Sequence, residues 1–87
     1  MALSDVEVRV LGALMEKERT TPDGYPLSSQ ALVTACNQLT NRDPVTQYHL
    51  QDVMAAVSRL RDRGLAETVQ EMGDRVPKHK HKAARAL

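Results

Sequence analysis

Three histidines and one cysteine are the residues of this chain that could hold a metal ion. They are Cys36, His49, His79 and His81. The last two stand two positions apart, a spacing that puts both side chains on one face of a strand. No second pair of ligands stands near them, and a structural zinc site needs four. The sequence therefore predicts no metal and no cofactor, and Cys36 is expected to be a small core residue.

Motifs for catalysis are missing from the sequence. It contains no glycine-rich phosphate loop, no nucleophile elbow and no metalloprotease motif. The Asp and Glu residues, Glu7 among them, fall mainly on faces that are predicted to be exposed to solvent. We therefore expect a protein that is not an enzyme and that has no small-molecule substrate.

Basic residues are concentrated in the second half of the chain. The formal net charge is +1, but residues 1–48 hold four Lys/Arg against six Asp/Glu, and residues 49–87 hold eight against five. From Arg75 onward there are five basic residues and no acidic one. This distribution favours a localised contact face over general affinity for polyanions. Tyr25 and Tyr48 are the only aromatic residues. They are too few to stack single-stranded bases, so a duplex is the expected nucleic acid.

Two capped amphipathic segments at the start of the chain are predicted to be helices. Ser4 and Glu7 have the spacing of a capping box, and apolar residues at helical period follow, which predicts a helix over residues 5–18. A loop with two prolines and an Asp-Gly pair comes next. Ser28 then caps a second predicted helix, which we expect to end near residue 37 or 38.

The third predicted helix has the clearest pattern. Its apolar residues recur at helical spacing: Leu50, Val53, Met54, Val57 and Leu60. Gly64 predicts its end. Residues 65–71 and 75–81 are then predicted to pair as a β-hairpin around a Gly73-Asp74 turn, with Pro77 on an edge or at a bulge. The predicted fold class is mainly α with a small β-hairpin, a winged helix-turn-helix of three helices plus a wing. About ten residues separate the second and third helices, more than this motif usually has.

In such a domain the exposed face of the third helix would enter the major groove. Gln51 could bond adenine there, Arg59 could bond guanine or a phosphate, and Ser58 lies on the same face. Asp52 and Asp62 share that face and would be repelled by phosphates. An ordinary solvated face is therefore the alternative interpretation.

The predicted wing carries the stronger positive charge. Arg75, Lys78 and Lys80 could contact phosphates, or Arg75 could enter a minor groove. The alternative is a solvated segment whose charges contact nothing.

A dense polar cluster follows the second predicted helix, made of Asn37, Gln38, Asn41 and Arg42. These residues could contact a phosphate or a partner protein. They could equally satisfy backbone groups in a long irregular linker. We favour the second interpretation.

Several stretches of the chain resemble the YceH-like family of bacterial proteins, which are mostly uncharacterised in function. The similar stretches are Thr20–Ser28, Ala35–Val45, Gly64-Leu65, Arg75–Lys78 and His81. The resemblance implies a winged-helix fold and a long linker between the second and third helices. It implies no established activity, because in this family DNA binding is inferred from the fold. The position after Lys78 is usually aromatic in the family, and here it is His79.

The domain organisation follows from these segments. Residues 1–82 are predicted to form the winged helix-turn-helix domain and residues 83–87 a flexible basic tail. Family members usually carry a second winged-helix domain, so this chain would be a fragment, an excised domain or a short variant. The sequence has no apolar segment long enough for a membrane span, and we expect a cytoplasmic protein that does not contact membranes.

Two functions remain open from the sequence. One is regulatory binding of double-stranded DNA by the third helix and the wing, either as a monomer or as a homodimer. The other is a protein-interaction or dimerisation module that keeps the fold without binding DNA. The first is the leading hypothesis, and the acidic residues of the third helix and the nearly neutral net charge are the reasons to keep the second as the alternative.

Overall fold

Three helices and a small antiparallel sheet follow one another in the order of a winged helix-turn-helix domain. The computed structural model describes residues 2–38 and 47–82. The helices are α1 (Asp5–Thr20), α2 (Ser29–Gln38) and α3 (Leu50–Asp62). The strands are β1 (Leu27–Ser28), β2 (Ala66–Val69) and β3 (Lys78–His81), and a 3-10 turn at Pro22–Gly24 lies between α1 and β1. The predicted fold class is confirmed.

The start of α1 follows the predicted capping box. The backbone N–H of Glu7 donates to Ser4 Oγ at 3.3 Å, and the N–H of Ser4 donates to Glu7 Oε1 at 2.8 Å. The helix continues to Thr20, two residues beyond the predicted end. The Thr20 hydroxyl donates to the Glu16 carbonyl at 3.0 Å, which satisfies an acceptor of the last turn. Pro22 disfavours helical backbone at the residue before it, so the helix stops at Thr20.

The segment before α2 departs from its prediction. Ser28 does cap the helix, since its Oγ accepts from the Ala31 N–H at 3.2 Å. Leu27 and Ser28 also form β1, a strand that the sequence analysis did not predict. Two residues are too few to show an alternating pattern, and their partners Lys78 and His79 lie far along the chain.

The end of α3 is a Schellman motif. The Leu65 N–H donates to the Leu60 carbonyl at 2.9 Å, and the Gly64 N–H donates to the Arg61 carbonyl at 3.0 Å. Gly64 has a φ of +74°, which favours glycine at this position. The predicted stop is confirmed, and it turns the chain from α3 into β2.

The sheet has the order β1-β3-β2, with β3 in the centre. His79 of β3 pairs with Leu27 on one side and with Thr68 on the other. The predicted pairing of the two strands is confirmed, but both strands are shorter than predicted, and Arg75 lies in the loop and not in a strand. The two-residue turn predicted at Gly73-Asp74 is wrong, because residues 70–77 connect the strands and the Asp74 N–H donates to the Glu71 carbonyl at 3.0 Å. Pro77 has no N–H to donate and cannot belong to a strand that is paired on both sides, so β3 begins only at Lys78.

The core lies where the three helices meet the inner face of the sheet. Its largest fully buried side chains are Val10, Leu14, Leu32, Cys36, Val53 and Leu60. The prediction for Leu50 is wrong, because this residue is 47% exposed although it continues the apolar stripe of α3. Within the described part of the chain, every helix is too short or too polar to traverse a lipid bilayer.

Candidate nucleic-acid interface

The outward face of α3 is open to solvent. Val53, Val57 and Leu60 point into the core, so the opposite side of the helix faces away from the domain. Gln51 and Ser58, seven positions apart and therefore nearly aligned on a helix, are both exposed there. The structure thus brings together the first two residues that were predicted for this face. Asp62 is exposed as well.

Arg59 is exposed but anchored to another helix. Its Nε lies 3.5 Å from Oε2 of Glu7 in α1, and its side chain remains 49% exposed. Glu7 itself is only 3% exposed, so the prediction that it lies on a solvent face is wrong. Hydrogen bonds from Ser4, with the nearby charges of Arg59 and Arg63, lower the pKa of the Glu7 carboxyl below its ordinary 4.5. Arg59 therefore faces solvent from a fixed position, beside a carboxylate that stays ionised.

The side chain of Asp52 caps the start of α3. Its Oδ2 accepts from the His49 N–H at 3.3 Å, where it satisfies a free donor at the start of α3. From its position on the helix, Asp52 was predicted to be an acid that phosphates would repel. In the structure its carboxylate is turned toward the helix start, while Asp62 lies at the other end of α3.

The basic residues of the wing fall into two groups, those that are paired with Glu67 and those that have no nearby carboxylate. Lys80 Nζ lies 3.2 Å from Oε1 of Glu67, its direct partner across the β2–β3 ladder, and Lys82 Nζ lies 3.8 Å from the other oxygen of the same carboxylate. Arg75 is exposed in the loop before β3, and Lys78 is partly exposed at the start of the strand. Among the residues that the structure describes, no carboxylate oxygen lies within 4 Å of Arg75 or Lys78. Glu67 could not be identified from the sequence, because its pairing with the lysines depends on the strand register.

An apolar groove of about 370 Å³ separates the first turn of α3 from the loop that precedes β3. Six residues line it: Ser28, Ser29, Gln30, Leu50, Val76 and Pro77. Leu50 is 47% exposed and Val76 is 46% exposed. The groove shows that the start of α3 and the wing lie side by side on one surface of the domain.

His79 is a buried residue of β3 that connects the sheet to the start of α2. It is 5% exposed, with its Nε2 2.9 Å from the Ser29 hydroxyl and its Nδ1 2.9 Å from the Thr68 hydroxyl. Burial, and secondly the charge of Arg61, lower the pKa of His79 below its ordinary 6.5. The imidazole is therefore neutral. Through its two contacts it joins α2, β2 and β3, and it occupies the position where the family resemblance implies an aromatic residue.

The other residues considered as metal ligands are placed apart. His81 Nε2 lies 2.7 Å from Oε1 of Glu18, while Cys36 is fully buried in the core. Burial raises the pKa of the Cys36 thiol to about 11. The prediction that Cys36 is a core residue is confirmed. In residues 2–38 and 47–82, no three His, Cys, Asp or Glu side chains are grouped closely enough to hold a metal ion.

Asn37 of the polar cluster has a structural role. Its Oδ1 accepts from the Tyr48 N–H at 2.8 Å, and its Nδ2 donates to the Tyr48 carbonyl at 3.1 Å. Asn37 thus pairs with backbone groups, as the favoured interpretation expects, and joins the end of α2 to the residue that precedes the start of α3. Gln38 is exposed at the last position of α2. Asn41 and Arg42 lie outside the described residues, as does the predicted tail, residues 83–87.

Three helices, a paired hairpin and an uncovered face on the third helix define a winged helix-turn-helix domain. The chain belongs to the DUF480 family, described as a protein of unknown function, whose family model matches residues 3–87. The resemblance to an uncharacterised bacterial family is confirmed.

Similar proteins from several bacteria carry the name UPF0502 protein. One from Marinomonas sp. (strain MWYL1) is 52% identical over 77 residues, which cover 88% of this chain and 35% of that protein. One from Solibacter usitatus is 51% identical over 80 residues, which cover 92% of this chain and 38% of that protein. One from Koribacter versatilis is 46% identical over 87 residues, which cover 100% of this chain and 40% of that protein. The chain thus spans about 35–40% of the length of these relatives.

Proposed function

We propose that this domain binds double-stranded DNA in a regulatory role and is not an enzyme. The observation that carries the proposal is the shared surface of α3 and the wing. The exposed face of α3 carries Gln51, Ser58 and Arg59. In the wing, Arg75 is exposed and Lys78 is partly exposed on either side of Val76 and Pro77, which line the groove. A helix of this width fits the major groove, and cations beside it would meet phosphates of the flanking backbone.

The charges on this surface support contact with a polyanion. Arg59 of α3 lies 3.5 Å from Glu7, and Arg75 and Lys78 of the wing have no carboxylate oxygen within 4 Å among the described residues. If these three side chains each neutralise one phosphate, the logarithm of the association constant should fall with the logarithm of salt concentration at a slope of about −3. The isolated domain would bind weakly, because symmetric sites are normally read by dimers.

The first test is the salt dependence of binding to a duplex of mixed sequence, followed by fluorescence anisotropy. We expect the double variant Arg75→Ala/Lys78→Ala to flatten the slope by about two units, since each lost phosphate contact removes about 0.9. The matched control is Lys17→Ala/Arg19→Ala, which removes the same charge from α1. The control should retain the slope of the unaltered domain.

Two results would contradict the proposal. One is the absence of binding at low salt up to a protein concentration of about 10⁻⁴ M, where even non-specific complexes form. The other is an equal loss of affinity in both double variants, because net charge alone would then explain the binding.

The second candidate function is a protein-interaction or dimerisation module. The observation that favours it is the apolar groove, since Leu50 and Val76 are both about half exposed there. In addition, Glu67 already neutralises part of the charge of Lys80 and Lys82. Light scattering distinguishes the two candidates: a tight dimer that loses its association in Leu50→Asp, together with no duplex binding, would favour this function.

A further inference from the structure

We propose that the first turn of α3 reads A·T base pairs, with Leu50 against the C5-methyl group of thymine and Gln51 on the edge of adenine. The inference rests on the proposed function, and it identifies which bases that function would select. It follows from where the exposed apolar and amide side chains of α3 lie.

The exposure of Leu50 is the first observation. A single exposed leucine needs no explanation, but Leu50 shares a groove with Val76 and Pro77 from a distant part of the chain. The three side chains form an apolar surface at the point where α3 approaches the wing. Exposed apolar surface that gathers from separate elements indicates a contact site.

The charge beside the groove identifies the class of partner. Arg75 is exposed directly before Val76, and no carboxylate oxygen of the described residues lies within 4 Å of its side chain. Lys78, which follows Pro77, lines a separate pocket with Asp23, Glu71 and Asp74. The partner should therefore present an apolar group close to a negative charge that Arg75 can meet. Duplex DNA presents such a group in its major groove, where the thymine methyl lies between two phosphate backbones.

Gln51 supplies the second contact. It is exposed, and its side-chain amide forms no hydrogen bond with another residue of the described ranges. A glutamine amide can donate to N7 and accept from N6 of adenine at the same time. Successive residues of a helix point about 100° apart, so Leu50 and Gln51 would reach neighbouring base pairs.

The remainder of the outward face offers little for reading bases. The Ala55 side chain has no polar group, and Ser58 can pair with either donors or acceptors. Arg59 lies 3.5 Å from the Glu7 carboxylate, and Asp62 would be repelled by phosphates. The N-terminal residues of a recognition helix are also those that usually reach base edges. Sequence selection should therefore be concentrated in the first turn of α3.

The experiment starts with a pool of random duplexes of roughly 20 base pairs, about two helical turns. The full chain selects from the pool, and the enriched sites are measured by anisotropy. We expect an A·T pair at a fixed position. Replacing its thymine by deoxyuridine, which removes only the methyl group, should weaken binding about three- to fivefold, the effect of withdrawing one methyl group from apolar contact.

Two variants assign the contacts to their residues. Leu50→Ala should bind the thymine and deoxyuridine duplexes equally well, because the side chain that senses the methyl is gone. Gln51→Ala should lose roughly tenfold or more of the preference for A·T over G·C at its position. Val8→Ala is the matched control, since it removes an exposed aliphatic side chain from α1, and it should keep both preferences.

The possible results separate this inference from the proposed function. Duplex binding without an A·T preference, or an unchanged deoxyuridine effect in Leu50→Ala, overturns the reading by Leu50 and Gln51 while duplex binding itself stands. If neither the unaltered chain nor any variant binds a duplex, both proposals are wrong. Dimerisation through the groove would then be the expected finding by light scattering.

Discussion

Glu7 and Arg59 lie far apart in the sequence and meet at the junction of α1 and α3. The carboxylate is buried, accepts the Ser4 N–H at 2.8 Å and lies 3.5 Å from the guanidinium. A buried carboxylate is costly unless it is paired and hydrogen-bonded. The hydrogen bonds from Ser4, and secondly the charge of Arg59, explain why the buried Glu7 is ionised. The same carboxylate lies beside the half-exposed Arg59 side chain.

Replacement of Glu7 by glutamine tests the coupling. The lowered pKa means that ionised Glu7 stabilises the fold fully above its ordinary pKa of 4.5, and that this stability is lost as the pH falls through the lower folded-state value. We expect Glu7→Gln to be less stable than the unaltered domain near neutral pH and to lose less stability on acidification. Urea unfolding at several pH values measures both effects.

The control for this comparison is Glu71→Gln, which removes a carboxylate from an exposed position. It should leave the acid dependence close to that of the unaltered domain. Equal acid dependence in the domain and in Glu7→Gln would mean that this carboxylate does not contribute to folding.

At the scale of the elements, the wing carries the positive charge that the sequence predicts, but part of this charge is paired with a carboxylate. Glu67 lies opposite Lys80 in the ladder and reaches Lys82 as well. Only part of the positive charge of β3 is therefore available to a partner. Exposed ion pairs of this kind contribute little to stability, so Glu67 can be replaced without endangering the fold.

Glu67→Gln should strengthen duplex binding, because it frees two lysines for phosphates. Glu71→Gln is the control, since it removes one negative charge from the same wing without releasing a paired lysine. We expect a larger gain in affinity and a steeper salt slope for Glu67→Gln. Equal gains in the two variants would contradict the role given to the ion pairs.

The helices could be predicted because their signals are local. The Ser4–Glu7 capping box and the glycine stop at Gly64 each lie within a few residues, and periodicity correctly placed Gln51 and Ser58 on the outer face of α3. Strand β1 could not be predicted, because its two residues acquire their role only from pairing with β3. The partners of Arg59 and Lys80 were missed for the same reason: both depend on tertiary packing or register.

For the whole molecule, His79 is one of the side chains that join the sheet to the helices, as His81 also does through Glu18. His79 lies in the central strand, where it contacts the hydroxyl of Thr68 in β2. It also contacts the hydroxyl of Ser29 in α2, which is 50 positions away in the sequence. Each ring nitrogen faces a hydroxyl, and a neutral imidazole can donate from one and accept at the other. The stability of the domain should therefore depend on this residue remaining neutral.

The free energy of unfolding should decrease in mild acid. Because the pKa of His79 is lowered from 6.5 in the folded state, the unfolded chain takes up this proton more readily. Stability is then complete above about pH 6.5 and is lost as the pH falls toward the folded-state value. Urea-unfolding midpoints between about pH 8 and pH 5 measure the loss.

Two variants isolate this contribution. His79→Gln cannot titrate and should show a flatter dependence over the same range, whereas His49→Gln, at an exposed position, should retain the original dependence. An unaltered domain whose midpoint does not move below pH 6.5 would contradict the assignment of a neutral, stabilising His79.

The burial of Cys36 makes the native domain nearly silent toward thiol reagents. It is the sole cysteine of the chain, has no exposed surface, and its pKa of about 11 leaves almost no thiolate at neutral pH. A second cysteine introduced at Ser58, on the open side of α3, would therefore take up a spin label or a photo-crosslinker selectively. Such a probe would report directly, and without removal of the native thiol, which macromolecule approaches that helix.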